Sequence, residues 1–317
     1  MAKAKPIAKI DCLEAAAKAI QTVLLTRLEE MCQFRARALD GNDPEGVHDM
    51  RVASRRLRSA LKDFKPYLRK ERVPLRKLKA IADSLGAVRD EDVVLAALDE
   101  FRLQAGDKVA DGIEVIAEEH RLQRRQARSV LETAIRTAML AELLDDFRAR
   151  REAASRGSQP SEEKGPMFRQ IGTEVIRARL VDLSDASDAF YRPLRTKQLH
   201  RLRILTKRLR YAIELFAPCG GAEFEKIAKE IARLQTSLGE LHDCDVWIAN
   251  LGRRLRKTDN SADNASRDQS SQEASVWLLR HFVSERTKHY CDALTRWHEW
   301  ETEGFLDRLG GMLRAGE

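Results

Sequence analysis

The first regular pattern in the chain is helical: Leu13, Ala17, Ile20, Leu24, Leu28 and Met31 recur at three- and four-residue steps, which lines one helix face with apolar side chains. Asp11 with Glu14 three positions later has the form of a capping box, so this helix is predicted to begin at Asp11 and run to about Leu39. Asp40-Gly41-Asn42-Asp43-Pro44 then breaks the pattern, with Asp43 placed as an N-cap and Pro44 at a first helical position. A second helix is predicted from there to just before Pro66, and a third over residues 72–87. The periodicity restarts after Asp90 through Leu98, pauses at Gly106, and continues as a long helix from Gly112 to Ala153. Residues 152–166 and 257–275 are polar and lack apolar periodicity; they read as a linker and a mobile loop.

Laying the chain over itself uncovers an internal repeat. The stretch His48 to Leu61 aligns with His200 to Ile213 at an offset of 152 residues, with six of fourteen positions identical and five more chemically equivalent. Leu85-Gly86-Ala-Val-Arg89-Asp90-Glu-Asp92-Val93 aligns with Leu238-Gly239-Glu-Leu-His242-Asp243-Cys-Asp245-Val246 at an offset of 153. Arg35-Ala-Arg37 similarly resembles Arg177-Ala-Arg179. The repeat predicts an all-α fold of two pseudo-symmetric four-helix bundles, with halves at about 11–155 and 167–314 joined by the linker at 152–166.

On a helical wheel His48, Arg51, Arg55, Arg58 and Lys62 form one stripe, and Met50, Ala53, Leu57, Ala60, Leu61 and Phe64 lie opposite. The second copy repeats this with His200, Arg203, Lys207 and Arg210 against Leu202, Leu205, Leu209, Ala212, Ile213 and Phe216. Residues 48–62 and 200–214 each carry a net charge of +4, whereas the whole chain carries +7. The rest is therefore nearly neutral, and the positive charge is focused on two helices. Like charges at i,i+4 repel by roughly a few tenths of a kcal/mol per pair. An anion relieves that repulsion, and the prevalence of arginine favours forked hydrogen bonding to phosphate oxygens. A solvated charged face is the plain alternative for one helix; recurrence in two copies argues against it. Arg56, Arg208, Arg76, Lys79, Arg89, Lys229 and Arg233 are secondary candidates for the same site.

The two histidines are read as donors to phosphate, which favours the protonated ring. No carboxylate or cysteine at matching spacing points to a metal, and no nucleophile accompanies the histidines. No catalytic residue, metal or cofactor is expected. In Leu-Gly-x-x-Arg/His-Asp-x-Asp-Val, Gly86 and Gly239 read as helix ends, and Asp90 or Asp92, and Asp243 or Asp245, as caps of the next helices.

Composition narrows the class further. Charged residues make up 34% of the chain and aromatics 6%, a balance suited to exposed amphipathic helices. No apolar run reaches the roughly 18 residues of a membrane helix, and residues 1–10 lack the apolar centre of a secretion signal. Cys12, Cys32, Cys219, Cys244 and Cys291 are scattered without CxxC spacing, which predicts reduced packing thiols in a cytoplasmic protein.

The motif His-x-x-Arg-x-x-x-Arg/Lys-Arg-Leu-Arg in both halves, followed each time by Leu-Gly-x-x-x-Asp-x-Asp-Val, resembles the CHAD family, the conserved histidine α-helical domain. The resemblance spans nearly the whole chain, about 11–314 as a single domain. It implies a basic central cleft that binds inorganic polyphosphate, and an association with polyphosphate granules and protein partners there. Carried onto this chain, it marks His48, Arg51, Arg55, Arg58, His200, Arg203, Lys207 and Arg210. The family often follows a triphosphate-tunnel domain opening with Glu-x-Glu-x-Lys, a motif absent here, so no fused enzymatic activity is expected. Two rival readings remain: an enzyme acting on polyphosphate or a triphosphate, which would need clustered carboxylates for metal, and a nucleic-acid-binding helical protein, for which no recognition motif is present.

Overall fold

The computed structural model describes residues 7, 10–41, 43–68, 74–156, 165–258 and 265–315. Its elements are α1 (Ala16–Gln33), α2 (Arg35–Leu39), α3 (Pro44–Asp63), α4 (Leu75–Gln104), α5 (Asp107–Ala134), α6 (Thr137–Arg156), α7 (Phe168–Ser184), a 3-10 helix at Ser187–Tyr191, α8 (Thr196–Thr258), α9 (Ala265–Thr302) and α10 (Phe305–Ala315). Among the described residues there is no β-strand, only an isolated bridge between Ala15 and Met167, so the fold class is all-α as the periodicity predicts. No described helix is long and apolar enough to cross a membrane.

Two compact units divide the chain, and neither is a continuous half. One comprises 1–93, 122–175 and 214–222; the other 94–121, 176–213 and 223–317. In the first unit α1 packs on α3 and α6, and α2 on α3. Its core contains a ring cluster in which Phe168 lies 4.8 Å from Phe216 and Phe64 meets Phe216 edge-on at 6.0 Å. Gly172 is required there, because a Cβ would enter the Phe216 ring. In the second unit Phe190 stacks on Trp297 at 4.6 Å, Trp300 on Phe305 at 4.2 Å, and Leu98, Ile113, Leu251 and Leu278 are buried together.

Several local predictions are corrected. The Asp43 N-cap holds, with its Oδ1 accepting from Gly46 N at 3.1 Å. The Asp11 capping box does not: α1 starts at Ala16 with no side-chain cap. Its first amide is met instead by the Pro166 carbonyl, while Phe168 N donates to Glu14 O. A break at Phe34 separates α1 from α2, so the first helix stops short of Leu39. Likewise the predicted helix from Gly112 to Ala153 is two helices, α5 and α6.

Gly86 and Gly239 do not end helices; α4 and α8 run through them. A glycine inside a helix costs about 1 kcal/mol of propensity relative to alanine. The interruption in α8 falls instead at Gly221, whose φ of 66° and ψ of −156° are accessible to glycine, three residues after Pro218.

The linker expected at 152–166 is helical through Arg156, and residues 157–164 lie outside the described set. The loop expected at 257–275 is helical at 257–258 and from Ala265 onward, with 259–264 outside the described set. Its small polar residues are a packing surface: Ser271, Ala274 and Ser275 are buried, Ser275 donates back to the Ser271 carbonyl at 2.7 Å, and Gly112 sits so close to the Ser270 backbone that a Cβ would collide with it.

The reduced-thiol expectation is also corrected. Cys12 and Cys219 form a disulfide, while Cys32, Cys244 and Cys291 are free. Spacing could not reveal the pair, because the two residues are 207 positions apart. They meet because the segment before α1 is held by backbone bonds that include Arg169 N to Cys12 O at 3.0 Å.

Candidate functional site: two basic helix faces

In the first unit α3 is anchored by its apolar side, where Met50, Ala53, Leu57, Ala60, Leu61 and Phe64 are all buried. His48, Arg51 and Arg55 are half-buried on the other side, and Arg58 and Lys62 are exposed. Arg51 reaches Asp90 at 3.3 Å. Gly86 lies beneath that arginine: an added Cβ would sit 3.8 Å from Arg51 Nε. Arg89 extends to within 3.8 Å of Glu45. Burial, and then the Arg89 charge, push the His48 pKa below its ordinary value.

The second unit repeats this chemistry on the opening stretch of α8. Leu202, Leu205, Leu209, Ala212 and Ile213 are buried, while His200, Arg203 and Lys207 are half-buried; Phe216, also buried, belongs to the ring cluster of the first unit. Gly239 stands to Arg203 as Gly86 stands to Arg51, with the same 3.8 Å from a built Cβ to Nε. The glycine in Leu-Gly-x-x-x-Asp-x-Asp-Val thus lies against a guanidinium in both copies, at a distance an ordinary Cβ contact would also have.

Each motif's second aspartate has its own partner rather than a capping role. Arg124 Nε donates to Asp92 at 2.6 Å and its Nη2 approaches the Gly41 carbonyl at 3.4 Å. Arg286 Nε donates to Asp245 at 2.6 Å and its Nη2 to the Pro193 carbonyl at 2.7 Å. Gly41 and Pro193 are 152 residues apart, the offset of the stripes. In both copies one arginine therefore ties the aspartate to the backbone just before a basic helix, fixing where that helix starts.

Not every sequence candidate faces outward in the same way. Arg56 is turned to Glu30 at 3.0 Å, and Glu30 also accepts from Arg27 at 2.7 Å; the acid is buried. Arg56 neutralises a core carboxylate. Arg210 is buried, its guanidinium 5.1 Å from the Tyr211 ring centre, whereas its repeat counterpart Arg58 is exposed. Arg208 is half-buried, and Arg76 and Lys229 are exposed. Lys79 pairs with Asp83 at 2.6 Å and Arg233 with Glu230 at 2.9 Å, both within one helix turn.

The residue that sequence reading left out is His242. Its Nδ1 lies 3.1 Å from His200 Nδ1, with ring centres 4.1 Å apart. Burial first, then the Arg203 charge, lower its pKa to about 4, and burial likewise lowers that of His200. The signal was available, since His242 aligns with Arg89 in the repeat. Glu45, His48 and Asp49 bring ligand atoms within 4.8 Å of one another, a metal-like grouping among the described residues. Arg37, 3.0 Å from Asp49, and Arg89 already compete for those carboxylates, so the donors suit a metal poorly.

An all-helical protein with two apolar-backed, arginine-rich helix faces is the class defined by these features. The chain belongs to the CHAD domain family, whose model matches residues 22–252. The uncharacterized protein Rv2226 of Mycobacterium tuberculosis is 27% identical over 225 residues, covering 65% of this chain and 40% of that protein. The matched region is thus well under half of the curated relative's length. Among solved structures, the CHAD domain from the plant Ricinus communis superposes with a TM-score of 0.68 at 22% identity, covering 90% of this chain and 95% of that one. PptA from Streptomyces chartreusis gives 0.65 at 15% identity, over 90% and 100% of the two chains. At these identities the likeness to both structures is one of fold.

Proposed function

We propose that this protein binds inorganic polyphosphate through the basic faces of α3 and of the opening stretch of α8, without cleaving it, and that this binding places it at polyphosphate granules. The observation that carries the reading is the recurrence of one arrangement at repeat-equivalent positions. In each copy a half-buried arginine lies over a helix glycine, next to a histidine, on a helix whose other side is locked into a core. Cations held this way are pre-positioned, so little side-chain entropy is lost when phosphate oxygens arrive. Family membership supports the same substrate class.

Turnover would ordinarily require carboxylates free to hold a metal beside the phosphates. The carboxylates nearest the first basic face are instead engaged with Arg37, Arg51 and Arg89. The test is a competition titration of long-chain polyphosphate, short phosphates and duplex DNA at fixed salt, with phosphate release followed in the same samples. The reading expects preference for the long chain, weakening as salt rises, and no release with or without Mg²⁺ or Mn²⁺. Equal affinity for DNA, or metal-dependent release that tracks the purified protein, would replace it.

A further inference from the structure

Among the repeat-equivalent differences between the two basic faces, one exchanges a fixed charge for a titratable ring: Arg89 accompanies His48, and His242 accompanies His200. We propose that His242 is a further phosphate-binding residue and that the His200–His242 pair takes up one proton when polyphosphate binds, making the second face pH-dependent while Arg89 keeps the first permanently charged there. The inference rests on the polyphosphate reading and adds to it a residue and a proton.

The geometry sets how many protons the pair can hold. A 3.1 Å Nδ1···Nδ1 contact requires one ring to carry its hydrogen on Nδ1 and the other to offer an Nδ1 lone pair. The accepting ring then has its hydrogen on Nε2. One more proton can enter at Nε2 of the donating ring, turning it into an imidazolium without breaking the contact. A second would have to occupy the accepting Nδ1, setting two N–H groups head-on. The pair therefore gains one proton, not two, and titrates as a unit.

The surroundings explain why that proton is held off in the free protein. Burial and the cations Arg203 and Lys207, from the same stretch of α8, disfavour it on both rings. Asp245 opposes them at His200, but its carboxylate is already bonded to Arg286 of α9 at 2.6 Å. A polyphosphate segment lying on Arg203 and Lys207 neutralises the charges that repel the proton, and its oxygens can accept from the new imidazolium.

The sign follows. The pair's proton affinity is low in the free protein and higher in the complex. Binding therefore strengthens as pH falls through the complex's pKa and levels off below the free protein's. One proton permits at most about a tenfold change per pH unit. Internal phosphates of a long chain stay ionised across this range and contribute no change of their own.

The experiment is calorimetric titration of the full chain with long-chain polyphosphate at pH 7.5 and 5.5 and constant ionic strength, in buffers of differing ionisation enthalpy. The wild type is expected to bind about three- to tenfold more tightly at pH 5.5, with uptake of up to one proton. His242→Arg installs the first face's fixed charge, and is expected to bind more tightly than wild type at pH 7.5 with a flattened pH response. His242→Gln, a smaller change that carries the test if the arginine variant misfolds, removes one ring of the pair and is expected to reduce the pH response to what the remaining histidine supplies. A wild type equally tight at both pH values, or folded variants that keep the full response, would overturn the proton linkage while leaving polyphosphate binding intact. Absence of polyphosphate binding at both pH values would overturn the binding reading, and this inference with it.

Discussion

Arg286 donates to Asp245 at 2.6 Å and to the Pro193 carbonyl at 2.7 Å, and Arg124 holds Asp92 and the Gly41 carbonyl in the same way. These arginines act on the basic faces from a distance, because each fixes the chain just ahead of a stripe-bearing helix. Removing either leaves a partly buried carboxylate without its main counter-charge. The Asp92 side chain is 4% exposed and that of Asp245 14%, so the first loss is expected to be larger. Arg124→Ala should cost about 2–4 kcal/mol and Arg286→Ala about 1–3 kcal/mol. Denaturant unfolding of the two variants checks the order; an equal or reversed order would show that burial of the acid does not set the cost.

The glycines under the guanidinium groups yield a prediction that separates packing from helix propensity. At both Gly86 and Gly239 a methyl group would sit 3.8 Å from the arginine Nε, an ordinary contact distance. Alanine there should be tolerated and should raise stability by about 0.5–1 kcal/mol, through helix propensity. A leucine would need the space the guanidinium occupies, so Gly86→Leu and Gly239→Leu should displace Arg51 and Arg203 and weaken polyphosphate binding. Thermal melts and binding titrations on the four variants test this; weaker binding by the alanine variants would mean the backbone itself meets the ligand.

What was legible in the sequence followed from local physics. The Asp43-Pro44 start of α3 is visible because both residues act on amides within one turn, and the basic faces are visible because cations and apolar residues share one helical period. What was hidden depended on partners far along the chain. Gly86 followed by Asp90 and Asp92 mimics a stop and a restart, and only Arg51 and Arg124, on other helices, explain the residues otherwise. Arg124 and Arg286 are 162 positions apart, off the repeat's 152–153 register, so no alignment of the motifs marks them. The Ser-rich stretch before Val276 has a linker's composition because the same small side chains let a helix come close to Gly112.

The cysteines are expected to separate cleanly by chemistry. Burial pushes the thiols of Cys32 and Cys244 up to about 11, leaving little thiolate at neutral pH, and Cys291 is the exposed one. Iodoacetamide on the native, non-reduced protein should therefore label Cys291 first, with Cys32 and Cys244 reacting only on unfolding. The Cys12–Cys219 bond closes a loop of 207 residues, and losing it should cost about 2–4 kcal/mol. Cys12→Ser should lower the melting temperature, and added reductant should then have no further effect. Mass spectrometry of labelled peptides and paired melts check both statements; a melting temperature insensitive to the substitution would mean the disulfide constrains nothing that the backbone bonds of residues 12–16 do not.

The repeat-equivalent cations Arg55 and Lys207 offer the most direct test of the basic faces. Both are half-buried, and each lies one helical turn beyond an arginine of its own stripe, Arg51 and Arg203. Reversing either charge removes a counter-charge for phosphate and places a carboxylate where phosphate would lie, so Arg55→Glu and Lys207→Glu should each weaken polyphosphate binding by at least about tenfold near physiological salt. The helical fold should survive, because the side of each helix packed into its core is untouched. Each loss should also reduce the steepness of log K against log salt by about 0.7–1, since one fewer counterion is displaced from the polymer. Titrations from 50 to 300 mM salt, on proteins matched by circular dichroism, read both quantities together. A weaker affinity with an unchanged salt slope would mean that the residue shapes its helix rather than meets the polyanion. If one reversal abolishes binding and the other changes nothing, a single face carries the function, and the repeat has kept its chemistry in the other for a different anion.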